Sequence, residues 1–288
     1  EDALNEQQLA EYSDLGFHVA KRLFSEPEID RLRSHAKSDH DMDRNSYDRN
    51  DGQGNQIRLS LWNQPGDGIY GAFSRSRRIF EVASSILKDE PYHYHSKMIM
   101  KDAKVGGAWA WHQDYGYWYQ NAVLKPQLMS AFIAVDRATK ENGCLQVIEQ
   151  SHLYGRIDHV LTGEQAGADI ERVNEILKRE KLTYLEMEPG DTVFFDANLL
   201  HRSAPNHSDF PRWSMICCYN SRSNSPFKES RHPPYSPIEI VGDQAILDFP
   251  LQPNTPSNEE LPTPSTASGN MQWHRSTQTP SAKNLKTD

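Results

Sequence analysis

Only three cysteines occur in the 288 residues, Cys144, Cys217 and Cys218. An odd number without metal-binding or redox spacing excludes a disulfide framework, and adjacent cysteines rarely bridge each other. They read as buried thiols in a reducing compartment. No apolar run approaches membrane-spanning length and no signal peptide is visible, so a cytoplasmic location is expected, with a targeting segment upstream of Glu1 left open. Positive charge is also scarce: 31 Lys and Arg against 40 Asp and Glu give −9, with no basic run to neutralise a phosphate backbone. Neither nucleic acid nor membrane is an expected partner, and no obligatory protein partner is evident. A small molecule is the expected ligand.

With 36% hydrophobic residues the chain can bury the core of one large domain. Beyond Pro250 the composition shifts to Pro, Ser, Thr and Asn with few large aliphatics. The expected organisation is therefore a folded domain over residues 1–250 and a tail without its own core over 251–288.

Asn5 with Gln8 three residues on opens a helix that Gly16 stops, and Ser25 with Glu28 opens a second over 26–37. Residues 38–55 are charged and poor in aliphatics, which predicts a mobile loop placed to act as a lid. Ile79, Phe80, Val82, Ala83, Ile86 and Leu87 recur at helical spacing, with Ser74 as the expected cap. After Pro91 short extended runs follow one another, at 92–101, 109–114, 128–135, 144–148, 182–187, 192–195 and 213–219. Many short strands indicate a β-sandwich or barrel, with one inserted helix over 164–179.

Within the segment Trp-Ala-Trp-His-Gln-Asp-Tyr-Gly-Tyr-Trp (109–118), His112 and Asp114 flank a single residue. On a strand both side chains share a face, which is how two ligands reach one metal. An imidazole and a carboxylate suit Fe(II), and a second histidine would complete a facial triad with open positions. His201, at the end of the apolar run after Pro189-Gly-Asp191, is placed to supply it. Singly, His-x-Asp reads more readily as a surface pair and His201 as a core histidine. Arg212-x-Ser214, opening the next strand, shifts that balance, because a guanidinium fork and a hydroxyl on one face match a carboxylate.

Together these residues resemble the phytanoyl-CoA dioxygenase-like Fe(II)/2-oxoglutarate oxygenases, a family that includes ectoine hydroxylase. The resemblance runs from the N-terminal Leu4, Gln7, Gly16-Phe17 pattern to about Pro250. It takes in Trp111-His-Gln-Asp114, Glu141-Asn-Gly-Cys-Leu145, Ser151-His152 and Pro189-Gly-Asp191 through Arg212. It implies a mainly β fold, a double-stranded β-helix or jelly roll with flanking helices, with O2 as cosubstrate. It implies iron ligands at His112, Asp114 and His201, and a site for the distal carboxylate of 2-oxoglutarate at Arg212 with Ser203 and Ser214. Lys97 and Trp118 fall where relatives contact substrate or cosubstrate, and Phe195, Tyr219 and Asn220 are expected to line the same cavity as substrate-binding residues. The family often has Pro-Gly-Ser-His where this chain has Glu149-Gln-Ser-His152, which predicts an altered turn and a structural role for His152.

The implied reaction is hydroxylation of an unactivated C–H bond of a small polar metabolite, such as an amino-acid derivative or another zwitterion, with Lys97 as an anion contact. Succinate and CO2 are the coproducts. Oxidative cyclisation or desaturation uses the same cofactors and remains an alternative. A zinc hydrolase also uses two histidines and a carboxylate, but has no need of a buried arginine beside the metal. A non-catalytic jelly-roll binding protein would form no succinate.

Overall fold

The computed structural model describes residues 3–51, 55–162 and 165–250; the Pro/Ser/Thr-rich tail expected at 251–288 lies outside them. The first two helices start where the capping boxes place them. They are α1 (Glu6–Leu15), followed by β1 (Phe17–Ala20), and α2 (Glu26–Ser38), with reciprocal Asn5–Gln8 and Ser25–Glu28 hydrogen bonds. Next come α3 (His40–Arg44), β2 (Tyr47–Asn50), β3 (Gln56–Trp62), α4 (Ile69–Ser74) and α5 (Arg77–Leu87). The long strand β4 (Pro91–Lys101) leads to β5 (Trp109–His112), the single turn α6 (Asp114–Trp118), β6 (Leu128–Ala134) and β7 (Leu145–Ile148). A hairpin of β8 (His159–Thr162) and β9 (Gln165–Ala168) precedes α7 (Ile170–Leu177). The chain closes with β10 (Leu182–Leu185), β11 (Thr192–Asp196), β12 (His201–Ser203), β13 (Arg212–Ser221) and α8 (Gln244–Asp248).

Seven strands form one antiparallel sheet in the order β1-β11-β6-β13-β4-β3-β2, and four form a second in the order β10-β7-β12-β5. Non-consecutive neighbours in both sheets, together with the side chains packed between them, make the expected double-stranded β-helix. Phe132, Leu145, Val147, Val193, Phe195 and Ile216 belong to that inner layer. On the far face of the large sheet Met98 and Met215 pack with Leu32, Phe73 and Ile79 of α2, α4 and α5. Each such fully buried side chain contributes roughly 1.5–3 kcal/mol. A smaller cluster, with Trp111, Ile148 and Leu200 against Val173 and Ile176 of α7, covers the outside of the small sheet.

Strand β13 shows how the pleat sorts residues. Trp213, Met215, Cys217 and Tyr219 join the helix-side core, while Ile216 and Cys218 join the inner one. Residues buried on both faces of a central strand read as a continuous apolar run, so alternation alone does not reveal which face is which.

Several expectations change. Residues 38–55 are not simply a loop: Asp39 caps α3 by accepting from the Asp41 and Met42 N–H groups, and Tyr47–Asn50 pairs with β3 at the sheet edge. Ser74 ends α4, and Ser76 caps α5 instead, accepting from the Ile79 N–H. The inserted helix begins at Ile170, capped by Asp169, because the residues before it are used in the β8–β9 hairpin. Strand β5 ends at His112, so Asp114 stands in the first turn of α6 rather than two residues along a strand. The altered turn at Glu149–His152 keeps a left-handed residue without glycine, with Gln150 at φ +61°.

Candidate metal centre and active site

His112 and His201 face each other directly across the β5–β12 pair, with ring centroids 4.0 Å apart. His112 Nδ1 lies 2.8 Å from the Ala110 carbonyl and His201 Nδ1 2.9 Å from the Leu199 carbonyl. A carbonyl only accepts, so both Nδ1 atoms carry the proton and both Nε2 lone pairs stay available. Asp114 Oδ1 lies 4.0 Å from His112 Nε2 and 3.9 Å from His201 Nε2. Its other oxygen accepts from the Ser130 hydroxyl at 2.7 Å, which orients the carboxylate. The three donor atoms lie within 4.8 Å of one another, all buried. Burial, reinforced at His112 by neighbouring His201, lowers both histidines below the usual imidazole range, which keeps them neutral and fit for a metal.

Hydrogen bonds hold the segments that carry Asp114 and His201 in register. The Gln113 side-chain amide donates to Asn198 O at 2.7 Å and Gly155 O at 2.8 Å, and Tyr115 N–H donates to Ala197 O. His159 Nε2 accepts the Gln113 N–H, and its ring lies where a side chain at Gly116 would sit, 2.0 Å from an added Cβ. Ser151 Oγ accepts the Leu200 N–H immediately before His201, while His152 bonds Ser13 O on α1. These two residues brace the site from outside it.

Arg212 is 2% exposed at the start of β13. Its guanidinium donates to Ser214 Oγ at 2.7 Å and to Gly143 O at 2.9 Å, but Nε is a buried donor with no partner. Burial pulls it down to about 10. Gly143 has φ +80° and a Cβ there would stand 2.3 Å from Ala204 O, so only glycine presents its carbonyl to Arg212 in this place. Lys101, paired with Arg212 in the β4–β13 register, is a second buried cation, held by the Ala204 carbonyl. Its ammonium is pushed well below the usual range by burial and by Arg212. The buried Arg212 guanidinium makes this end of the site complementary to an anion.

Between the two sheets lies a cavity of about 490 Å³ that joins the triad to Arg212 and is large enough for a metabolite. Lys97, Trp118, Phe195 and Ser203 line it, with Lys97 Nζ 3.8 Å from Asp114 Oδ1 and the Phe195 ring 4.8 Å from that of His201. Ser214 lies behind Arg212. Tyr219 and Asn220 are not in the cavity. An odd number of positions from Arg212, Tyr219 takes the opposite face of β13 and donates to Ser74 O on α4. Asn220 follows a register shift and bonds Tyr92 and Asn224. The sequence reading does not find His95, Arg231 and His232, which also line the cavity, or Lys101 behind it. Parity with Lys97 on β4 is a signal for His95 and Lys101. Arg231 and His232 follow β13 in an irregular segment whose side-chain directions no periodicity predicts.

The fold and site define a jelly-roll protein with two histidines and one carboxylate converging beside a buried arginine. The family model described as phytanoyl-CoA dioxygenase (PhyH) matches residues 12–214, and the chain belongs to that family. It is 28% identical over 184 residues to an ectoine dioxygenase of Sphingopyxis alaskensis, a match covering 60% of each chain. It is 30% identical over 183 residues to an L-proline trans-4-hydroxylase of Streptomyces griseoviridis, covering 58% of this chain and 68% of that one. Among solved structures, EctD from S. alaskensis with 2-oxoglutarate and 5-hydroxyectoine superposes with a TM-score of 0.70 at 24% identity, covering 84% of this chain and 89% of that one. This last likeness is one of fold.

Proposed function

We propose that the chain is a non-haem Fe(II)- and 2-oxoglutarate-dependent dioxygenase that hydroxylates an unactivated C–H bond of a small molecule. The observation that carries this reading is the pairing of three converging donors with a buried Arg212 whose Nε has no partner. Imidazole, imidazole and carboxylate form the donor set of an iron site with open positions. A zinc hydrolase would leave the arginine unexplained.

In this reading His112, Asp114 and His201 hold the iron. Arg212 takes the distal carboxylate of 2-oxoglutarate, with Ser203 beside it and Ser214 fixing the guanidinium. Bound iron with 2-oxoglutarate supplies the oxidising power, O2 being consumed as the cosubstrate becomes succinate and CO2 and the substrate gains a hydroxyl. The protein's part is positioning and exclusion of water. Ser130 holds one Asp114 oxygen away from the histidines so that the other faces them. Lys97, Trp118 and Phe195 wall the space where a substrate C–H bond must come close. The buried free thiols Cys144, Cys217 and Cys218 suit a cytoplasmic enzyme. Among the described residues no helix is long and apolar enough to cross a membrane.

The test is succinate formation from 2-oxoglutarate by iron-loaded protein in the presence of O2, with wild type and His201→Ala compared at equal folded concentration. Wild type should form succinate only with Fe(II), and His201→Ala should lose at least about tenfold in iron affinity. Equal iron binding and turnover by His201→Ala would remove His201 from the metal site.

A further inference from the structure

The two histidines and the carboxylate of the triad are placed by different means. His112 ends β5 and His201 opens β12, and the two stand opposite one another in the register of that strand pair, so the ladder sets their separation. Asp114 has no such support. The strand stops at His112, and Asp114 stands in the first turn of α6, a helix of five residues. Ser130 directs one of its carboxylate oxygens, but that bond acts at the tip of the side chain and leaves the backbone beneath it to be fixed by something else.

Gln113, between the two ligands, does that. It is fully buried, and its side chain is turned away from the helix it precedes, making no capping bond to α6. Both amide hydrogens are used, on Asn198 O at 2.7 Å and on Gly155 O at 2.8 Å, and the amide oxygen accepts the Ile157 N–H at 2.7 Å. These partners fix the orientation of the amide, since two carbonyls only accept and an N–H only donates. The backbone N–H of Gln113 donates to His159 Nε2 at 3.0 Å, and His159 Nδ1 in turn donates to Ile157 O at 3.0 Å. One residue thereby joins the segment after β7 to the turn before β12. That turn also takes the Tyr115 N–H on Ala197 O, so the residues on both sides of Asp114 are tied to it. His201 does not depend on the clamp in the same way. It pairs with His112 and Val147 in the sheet, and the Leu200 N–H before it donates to Ser151 Oγ.

We infer that Gln113 is a positioning residue for the metal centre, fixing Asp114 against a histidine pair that the sheet has already placed. The inference rests on the reading of His112, Asp114 and His201 as metal ligands. A primary amide on two methylenes is the side chain that reaches two carbonyls and one N–H at once: Asn is one methylene short, and Met keeps the length without the donors. Losing the clamp leaves the Ser130 and Tyr115 bonds in place, so the carboxylate is loosened and metal binding is weakened, while the histidine pair keeps its geometry.

The experiment measures Zn(II) affinity of the metal-free full chain by competition with a chromophoric chelator. Zinc is redox-inert and binds such donor sets more tightly than Fe(II), which keeps weakened sites measurable. Four proteins form a cycle: wild type, Gln113→Met, Asp114→Ala and the double variant. Gln113→Met alone should lose about tenfold or more in affinity. In the Asp114→Ala background the same change should lose less than about twofold, because a residue that acts through the carboxylate has nothing left to position. A residue that only supports the fold would give equal losses in both backgrounds. Gln113→Asn, which keeps the amide on a shorter arm, should lose less than Gln113→Met, and it replaces Gln113→Met in the cycle if that variant does not fold. Unchanged affinity in Gln113→Met, or equal losses in the two backgrounds, overturns the inference; so does failure of both Gln113 variants to fold, which would make Gln113 a residue of the fold. Wild type that binds no zinc, or Asp114→Ala that binds it as tightly as wild type, sinks the reading of the triad itself.

Discussion

Arg212 shows what one residue contributes when every neighbour is arranged for it. Ser214 and the Gly143 carbonyl each take one guanidinium bond, which fixes the fork at one end of the cavity. Removing such a buried partner costs roughly 3–5 kcal/mol, so Arg212→Gln should weaken 2-oxoglutarate binding by about a hundredfold or more. Arg212→Lys should fall between the two, because an ammonium keeps the charge without the planar fork. Anaerobic titration of the iron-loaded protein, read by the absorbance of the metal–cosubstrate chelate, gives the three affinities. Equal binding by wild type and Arg212→Gln would move the carboxylate site elsewhere, with Lys101 the next residue to test. His112 with Asp114, and Arg212 with Ser214, stand out in the sequence as closely spaced pairs, and the distant His201 joins them only through their combined order along the chain. Tyr219 does not belong with them, because counting parity along β13 from Arg212 sends it to the helix side.

At the scale of elements, the turn after β7 shows a local rule overridden. Gln150 adopts φ +61°, a conformation that costs an L residue roughly 1–2 kcal/mol, where glycine would adopt it freely. Its N–H bonds Leu15 O and its side chain bonds Asp14, which ties the turn to the end of α1. The backbone bond survives substitution, and the exposed side-chain bond is worth little. Gln150→Gly should therefore stabilise the protein by about 0.5–1 kcal/mol, a rise of roughly 2 °C in Tm. Thermal unfolding measures it, and a fall in Tm would show that the Asp14 contact outweighs the strain. The helix starts at Asn5 and Ser25 were legible because a capping box is a local interaction. Strand β2 was not, since an edge strand rich in charge is indistinguishable from a loop until its partner is known; β3, one strand in from the edge, does carry a period-2 signal in Ile57, Leu59 and Leu61.

Across the whole molecule, the helical layer is pinned to itself by a buried ion pair. Glu28 of α2 meets Arg78 of α5 at 2.5 Å, and the Arg78 guanidinium also covers the Phe24 ring. Burial acts to raise the Glu28 carboxyl, but hydrogen bonds from Arg78 and Ser25 outweigh it and hold the group below its usual value. A carboxyl lowered on folding contributes stability that is present above its unfolded value and is lost as pH falls through its folded one. Glu28→Gln should cost about 1–3 kcal/mol at pH 7, where it removes the charged hydrogen bonds to Arg78 and leaves Asp243 as that guanidinium's remaining ion partner. The difference from wild type should shrink as pH falls below the ordinary carboxyl range. Urea unfolding of both proteins at pH 7 and pH 3.5 checks the sign, and an equal gap at both would assign the loss to shape instead of charge.

The order of residues along the chain is enough to specify the helix starts and a β-sandwich or barrel, because these rest on interactions within a few residues, while the jelly roll, the candidate triad and the arginine follow from the family resemblance that the combined motifs carry. Packing alone makes Asp114 open a helical turn, puts Gly143 and Lys101 behind Arg212, and stacks His95 on His232. Most of those meetings join residues far apart in the chain. They follow from strand order and register, which are set by how the two sheets pack around their common core and leave no trace in local spacing.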